Sequence, residues 1–425
     1  EWKENENRKP LIIRGARQVG KTWIMKTFGQ QYFEKTAYVN FDNNARMKQV
    51  FEGDLDIERL VLSISAETGV SIEAENTLII FDEVQEVPKA LTSLKYFYEN
   101  APQYAIVAAE SLLGVALHQG TSFPVGKVDF LDLYPLNFRE FLCAMGEKQF
   151  VSMLDSCDTQ MVTVFKTKYI ERLREYYFVG GMPEVVKDFS EKKDYNRVRA
   201  IQKNLINYYQ QDFSKHAEIK LVPRLNLVWN SIPMQLAKEN KKYIYGQVRE
   251  GSRAKDFELA IQWLLDCGLI HKVQRIQKPD LPLKAYIDFD AFKLFLVDIG
   301  LLIAMTDLDA KVIIEGNKIF TEFKGSLTEQ YILQQLISDV GVIPYYYSTQ
   351  NSKGEIDFLV QGKTSVIPIE VKAEENLKAK SLKAFCEKYQ PSYAVRTSMS
   401  DYREQDWMTN IPLYAIKWIE NYVNQ

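Results

Sequence analysis

Eight consecutive residues, Gly15-Ala16-Arg17-Gln18-Val19-Gly20-Lys21-Thr22, spell G-x-x-x-x-G-K-T. A loop of this pattern wraps a polyphosphate, because its successive backbone N–H groups turn inward and the following helix adds its positive end. Lys21 is placed to reach the outer phosphates as a compact cation, and the Thr22 hydroxyl to take one position on hydrated Mg²⁺. A second pair of chemically able residues closes the apolar run of "TLIIFDEVQ". There Asp82 is expected to hold Mg²⁺ through water and Glu83 to polarise an attacking water. After a third apolar run, Tyr104 to Ala109, Ser111 is the candidate to sense the terminal phosphate, with Glu110 beside it. A third group lies far down the chain: Asp357 in "GEIDFLV", and Glu370 and Lys372 in "SVIPIEVKA". Two carboxylates and a lysine suit phosphodiester hydrolysis: Asp357 and Glu370 would hold Mg²⁺, the metal would acidify bound water, and Lys372 would stabilise developing negative charge.

These residues need particular elements to present them. Leu11-Ile12-Ile13 and Leu78-Ile79-Ile80-Phe81 read as short strands buried on both faces, and Trp23-Ile24-Met25 continues a helix after the loop. Strand, loop and helix in that order, with acids where the second strand emerges, place the first site at the carboxyl edge of a parallel sheet. Residues from about 151 to 217 read as helical, broken by "FVGGMPEVV", where Gly180-Gly181 before Pro183 marks a sharp turn into a new helix. From Leu221 to about Asp288, three helical patterns precede two strand-like segments, with Gly268 as a helix stop. That order suits a winged helix, which either reads DNA or serves only as a packing unit. The remainder reads α-β-β-β-α-β, with Glu329 on its first helix. Glu329 is either a further acid of that site or the last residue of a capping box begun by Ser326. Along the strand, Glu370 and Lys372 project to the same side.

Composition narrows the function classes. The chain has 425 residues, 46% hydrophobic and 26% charged, with a formal net charge of −3. Nothing global therefore points to nucleic acid, and two to four domains are expected. Cys143, Cys157, Cys267 and Cys386 are far apart, and the histidines are His118, His216 and His271. Zinc sites and a disulfide framework are disfavoured, and the thiols fit a reducing cytoplasm. No apolar run has the length of a membrane span and no signal peptide is evident. The chain begins at Glu1 rather than Met, which leaves room for a preceding segment.

Several stretches together, "RGARQVGKT", "IIFDEVQ", "SFPVGKVDFLDLYPLNFREFL", "VGGMPEVV", "FKLFLVDIGLL", "GSLTEQYI" and "NSKGEIDFLVQGKTSVIPIEVKA", resemble a family of bacterial and archaeal AAA-type P-loop ATPases with a C-terminal restriction-endonuclease-like domain. The resemblance covers nearly the whole chain. It implies an α/β fold: a P-loop parallel sheet (residues 1–150), a helical lid (151–220), a winged helix (221–288) and an endonuclease-like α/β domain (289–425). It implies ATP and Mg²⁺ as cofactors, nucleotide binding at Gly15, Gly20, Lys21 and Thr22, metal and water roles at Asp82 and Glu83, and nuclease roles at Asp357, Glu370 and Lys372. DNA or RNA is one candidate partner and a protein another; an oligomer is compatible with the family. Arg17 and Arg139 are candidates for an arginine finger. One departure stands out. Relatives tend to carry glycine where this chain has Glu110, and a carboxylate there would repel a γ-phosphate. Two functions follow: an ATP-driven switch acting on nucleic acid, or an interaction ATPase whose C-terminal fold is a protein-binding scaffold.

Overall fold

In a computed structural model the described residues are 1–111, 124–238, 241–315, 321–349, 354–375 and 379–425. They fall into two compact units, Glu1–Tyr134 with Asp266–Leu269, and Pro135–Leu265 with Ile270–Gln425. No helix among the described residues is long and apolar enough to cross a membrane.

The first unit is an α/β layer built on five parallel strands: β1 (Leu11–Gly15), β2 (Lys35–Asn40), β3 (Thr77–Asp82), β4 (Ala105–Ser111) and β5 (Asp129–Asp132), in the order β2-β3-β4-β1-β5. The helices α1 (Lys21–Tyr32), α2 (Ala45–Glu52), α3 (Ile57–Thr68) and α4 (Pro88–Asn100) supply the crossovers that parallel pairing demands. Strand β3 is buried at every position, which is why it reads as an unbroken apolar run. Its residues alternate between two cores. Ile79 and Phe81 join Met47, Phe51, Leu60, Ile64, Leu91 and Leu94 of α2–α4 on one face, whereas Leu78 and Ile80 join Met25 and Phe28 of α1 on the other. Because β4 is inserted between β1 and β3, the carboxyl ends of all three strands lie side by side.

The second unit combines helices with an eight-stranded mixed sheet. Helices α5 (Phe138–Ala144), α6 (Lys166–Val179) and α7 (Pro183–Lys192) precede the long α8 (Tyr195–His216) and α9 (Val222–Leu236). The turn between α6 and α7 places Gly180 at φ 74°, and α7 starts on Pro183. A Cβ on Gly181 would lie 2.1 Å from the Leu136 carbonyl oxygen, so the second glycine is required by close packing rather than by backbone angle. Its N–H donates to the buried Asp298 carboxylate at 2.6 Å. Asp298 also caps α10 (Ile299–Met305) through the Leu301 N–H, so "VGGMP" and "VDIGLL" meet at one buried node.

The expected α-β-β-β-α-β order is observed as α11 (Thr321–Gln335), β8 (Tyr345–Ser348), β9 (Glu355–Gln361), β10 (Val366–Val371), α12 (Lys380–Tyr389) and β11 (Val395–Ser398). Strands β12 (Arg403–Gln405) and β13 (Met408–Pro412) extend it at one edge. At the other edge stand β6 (Ile270–Ile276) and β7 (Ile287–Leu296), the two strands expected as a wing. They pair with each other antiparallel, and β6 then pairs with β8 in parallel. The wing is therefore continuous with the C-terminal sheet, and the boundary expected at 288/289 falls inside β7. The boundary expected at 150/151 likewise falls inside the helix Lys148–Asp155.

Candidate functional site

Strand β1 delivers the chain into the loop, which turns into α1 through two left-handed residues, Gln18 at φ 65° and Gly20 at φ 98°. Gly15 is held against the segment that follows β5: a Cβ there would come within 2.3 Å of the Leu133 carbonyl oxygen. Val19 and Ala16 are buried and anchor the loop. Gly20 caps α1 without a side chain, and the first turn carries no acid. The leading N–H groups of a twelve-residue helix are thus left to an external anion, at the end where the helix dipole is positive.

Lys21 is only 7% exposed, and its Nζ donates to the carbonyls of Gly15 at 3.0 Å and Ala16 at 2.8 Å. Burial pulls its pKa down to about 8 despite the carboxylates of Glu83 and Asp82 nearby. Thr22 Oγ1 donates to Asp82 Oδ2 at 2.7 Å, which joins the helix start to the end of β3. The hydroxyl and carboxylate expected to share a metal are therefore in contact. Asp82 is buried, and it accepts a second hydrogen bond at Oδ2 from the Tyr38 hydroxyl of β2 at 2.8 Å. Burial, then that hydrogen bond, raises the Tyr38 pKa well above the usual phenol value, so the group stays a donor. Sequence reasoning missed Tyr38; its only signal is that β2 is the neighbour of β3.

Glu83 follows in a left-handed conformation, φ 52°, which costs a non-glycine residue about 1–2 kcal/mol. That turn carries its carboxylate out of the strand line, where the Gln85 amide donates to it. Gln85 is a second residue that sequence reasoning did not assign. Between the loop and Asp82 lies the end of β4. Glu110 is in register with Arg14 and Ser111 with Gly15; the Ser111 side chain lies outside the described residues. Glu110 is 1% exposed, and its Oε2 has no hydrogen-bond partner among the described residues. Burial pushes its pKa up to about 7, against the pull of Arg14 and Lys21.

Known proteins can now be compared with this geometry. Residues 7–142 match the family model described as AAA domain. The first unit holds an AAA-type P-loop domain. Residues 170–312 and 324–416 match two models described as domains of unknown function, DUF8612 and DUF4143. No curated protein matches the chain. Among solved structures, the Walker-type ATPase PABY2304 of Pyrococcus abyssi is similar at 13% identity and a TM-score of 0.42, over 70% of this chain and 91% of that one. The Drosophila ORC bound to DNA is similar at 13% identity and a TM-score of 0.24, over 69% of this chain and 88% of that one. The loop Gly15–Thr22 and the Asp82–Glu83 pair both lie inside the segment that matches the AAA domain.

The residues expected to form a nuclease site lie in the second unit. Glu370 Oε1 pairs with Lys372 Nζ at 2.6 Å, and its Oε2 accepts from the Leu382 N–H in the first turn of α12 at 3.2 Å. Asp357 accepts from the Val371 N–H at 2.7 Å, so on β10 it reaches backbone rather than the Glu370 carboxylate. Its charged neighbours are Glu329, Lys293, Lys241 and Glu355. Glu329 lies inside α11 and is ion-paired with Lys241, while Ser326 Oγ donates to the Leu236 carbonyl. The capping-box reading of Glu329 is thereby set aside. Arg139 is engaged by Asp155 and, at 2.9 Å, by Asp339. Among the described residues, no group of three or more His, Cys, Asp or Glu side chains is arranged to hold a metal ion.

Proposed function

We propose that the chain is an ATP-hydrolysing molecular switch. The observation that carries this reading is the Thr22–Asp82 hydrogen bond at the foot of an uncapped α1, within a segment that matches an AAA domain. ATP with Mg²⁺ supplies a phosphoanhydride whose terminal phosphate is already activated toward water. The chain does the positioning. Backbone N–H groups of residues 15–22 and the Lys21 ammonium bind the phosphates, Lys21 exchanging its two loop carbonyls for them. Thr22 and Asp82 hold the metal, Tyr38 and the Glu83 N–H keep Asp82 oriented, and Glu83 accepts a proton from water held in line. Ser111 reports on the terminal phosphate. Residues 151–220 serve as the lid of this core. Residues 221–425 respond to nucleotide state.

For the second unit we favour a protein-binding scaffold over a nucleic-acid enzyme. Affinity for phosphate backbones comes from cations that release counterions. Around the end of β10 three of the described lysines already have internal partners: Lys372 with Glu370 at 2.6 Å, Lys324 with Glu374 at 3.0 Å, and Lys166 with Glu375 at 2.7 Å and Asp401 at 3.3 Å. The test is ATP turnover by wild type, Lys21→Ala and Glu83→Gln, each with and without mixed single- and double-stranded DNA. The reading requires turnover that both substitutions abolish while Glu83→Gln still binds ATP; turnover unchanged in Lys21→Ala refutes it. Stimulation by DNA would replace the scaffold with the nucleic-acid reading.

A further inference from the structure

Asp357, itself half-buried, sits in a group of charges that draws on four separate parts of the second unit. Glu329 comes from α11, Glu355 and Asp357 from β9, Lys293 from β7, and Lys241 from the segment before Tyr243. Lys293 is wholly buried, its Nζ 3.6 Å from Glu329 Oε2, in contact with Glu355 Oε1 and 4.8 Å from the centre of the Tyr346 ring. Lys241 is in contact with the other oxygen of Glu329. The E-x-K pair adds a fourth ion pair, Lys372 on Glu370.

A lysine so thoroughly removed from water persists only where acids surround it. Two ammonium groups face two carboxylates, Glu329 and Glu355, so charge balances with Asp357 as the odd member; Glu329 Oε2 makes no hydrogen bond among the described residues and meets Lys293 only at 3.6 Å. That accounts for Asp357: burial first, then the Glu329 charge, raise its pKa to about 7, and its Oδ2 uses the Val371 N–H. A divalent ion placed between Glu329 and Asp357 would meet the Lys293 ammonium at close range in a poorly screened interior, where like charges repel strongly. The donor set around Glu329 and Asp357 therefore does not fit a two-carboxylate Mg²⁺ site.

We infer that the Lys293 ammonium, with Lys241 beside it, is the built-in counter-ion of the Glu329–Glu355–Asp357 group and stands where a divalent cation would otherwise bind. The sequence motif is intact but its cation is covalent, delivered by β7. This is possible only because β6 and β7 extend the C-terminal sheet rather than forming a separate wing. The inference is independent of ATP hydrolysis in the first unit.

The test is Mn²⁺ binding, followed by electron paramagnetic resonance on the nucleotide-free full chain. Wild type and Asp357→Asn are expected to bind the same amount of Mn²⁺ with the same affinity. Lys293→Met removes the cation at similar volume and is expected to add one site, which the double variant Lys293→Met/Asp357→Asn loses again. A wild-type Mn²⁺ site that Asp357→Asn weakens tenfold or more overturns the inference, as does a folded Lys293→Met that gains no site. Should Lys293→Met fail to fold, the comparison of wild type with Asp357→Asn decides alone.

Discussion

Glu110 lends itself to a quantitative prediction, because two opposed effects act on it and the structure says which is larger. Arg14 and Lys21 favour the carboxylate, whereas burial, with the side chain 1% exposed, favours the neutral acid. Burial prevails and raises the pKa from 4.5 to about 7. The folded-state value lies above the unfolded one, so Glu110 contributes most below pH 4.5 and progressively less as pH rises to 7, beyond which its cost is constant at about 3 kcal/mol. Between pH 5 and 8 this one group removes roughly 2.5 kcal/mol from the stability of the first unit. Glu110→Gln cannot ionise and escapes that loss, while all other titrations are shared. The stability difference between variant and wild type is therefore expected to grow by about 2.5 kcal/mol from pH 5 to pH 8. A chain of two units need not unfold in one step. The measurement is accordingly local: hydrogen exchange, read by mass spectrometry across a urea series, in peptides covering β1 and β4. Parallel pH curves for the two proteins would show that Glu110 is not a buried neutral acid. A variant less stable than wild type at pH 8 would show instead that Arg14 and Lys21 hold it as a stabilising carboxylate.

Other consequences are as direct. Lys21 has a pKa of about 8 without nucleotide, and a bound polyphosphate raises it. ATP binding at pH 8 should therefore take up about half a proton, seen as a binding enthalpy that varies with the ionisation enthalpy of the buffer. Making that measurement in Glu110→Gln isolates Lys21; a buffer-independent enthalpy refutes the assignment. Tyr38→Phe removes one charge-assisted hydrogen bond to Asp82 of the kind worth about 1.5–3 kcal/mol. It should raise the Mg²⁺ concentration needed for half-maximal ATP turnover at fixed ATP, and an unchanged Mg²⁺ titration would remove Tyr38 from the site. In the second unit, Gly181→Ala drives a Cβ to within 2.1 Å of the Leu136 backbone and should lower stability by about 3 kcal/mol. Gly246→Ala, where nothing lies within 4 Å, should leave thermal unfolding unchanged.

How far the sequence discloses this molecule depends on whether the informative contacts are local. The loop from Gly15 to Thr22 and the Asp82–Glu83 pair are legible because one short segment contains the whole device: apolar strand, turn residues, then helix or acids. Tyr38 is illegible for the opposite reason. Its hydroxyl matters only once β2 lies beside β3, and the hydrogen bond it then makes joins residues 44 apart. The start of α5 is a case of local information overlooked, since Asn137 and Glu140 form a reciprocal capping box three residues apart. The C-terminal motif shows the harder limit. Asp357, Glu370 and Lys372 fall on the strands their pattern implies, yet the charge around Asp357 is set by Lys293, 64 positions earlier and on a strand that the expected 288/289 boundary cuts. A motif specifies which donors are present; the residue that neutralises them comes from the tertiary fold. When that residue is a buried lysine, an intact acid-and-E-x-K pattern and a metal site are no longer the same observation.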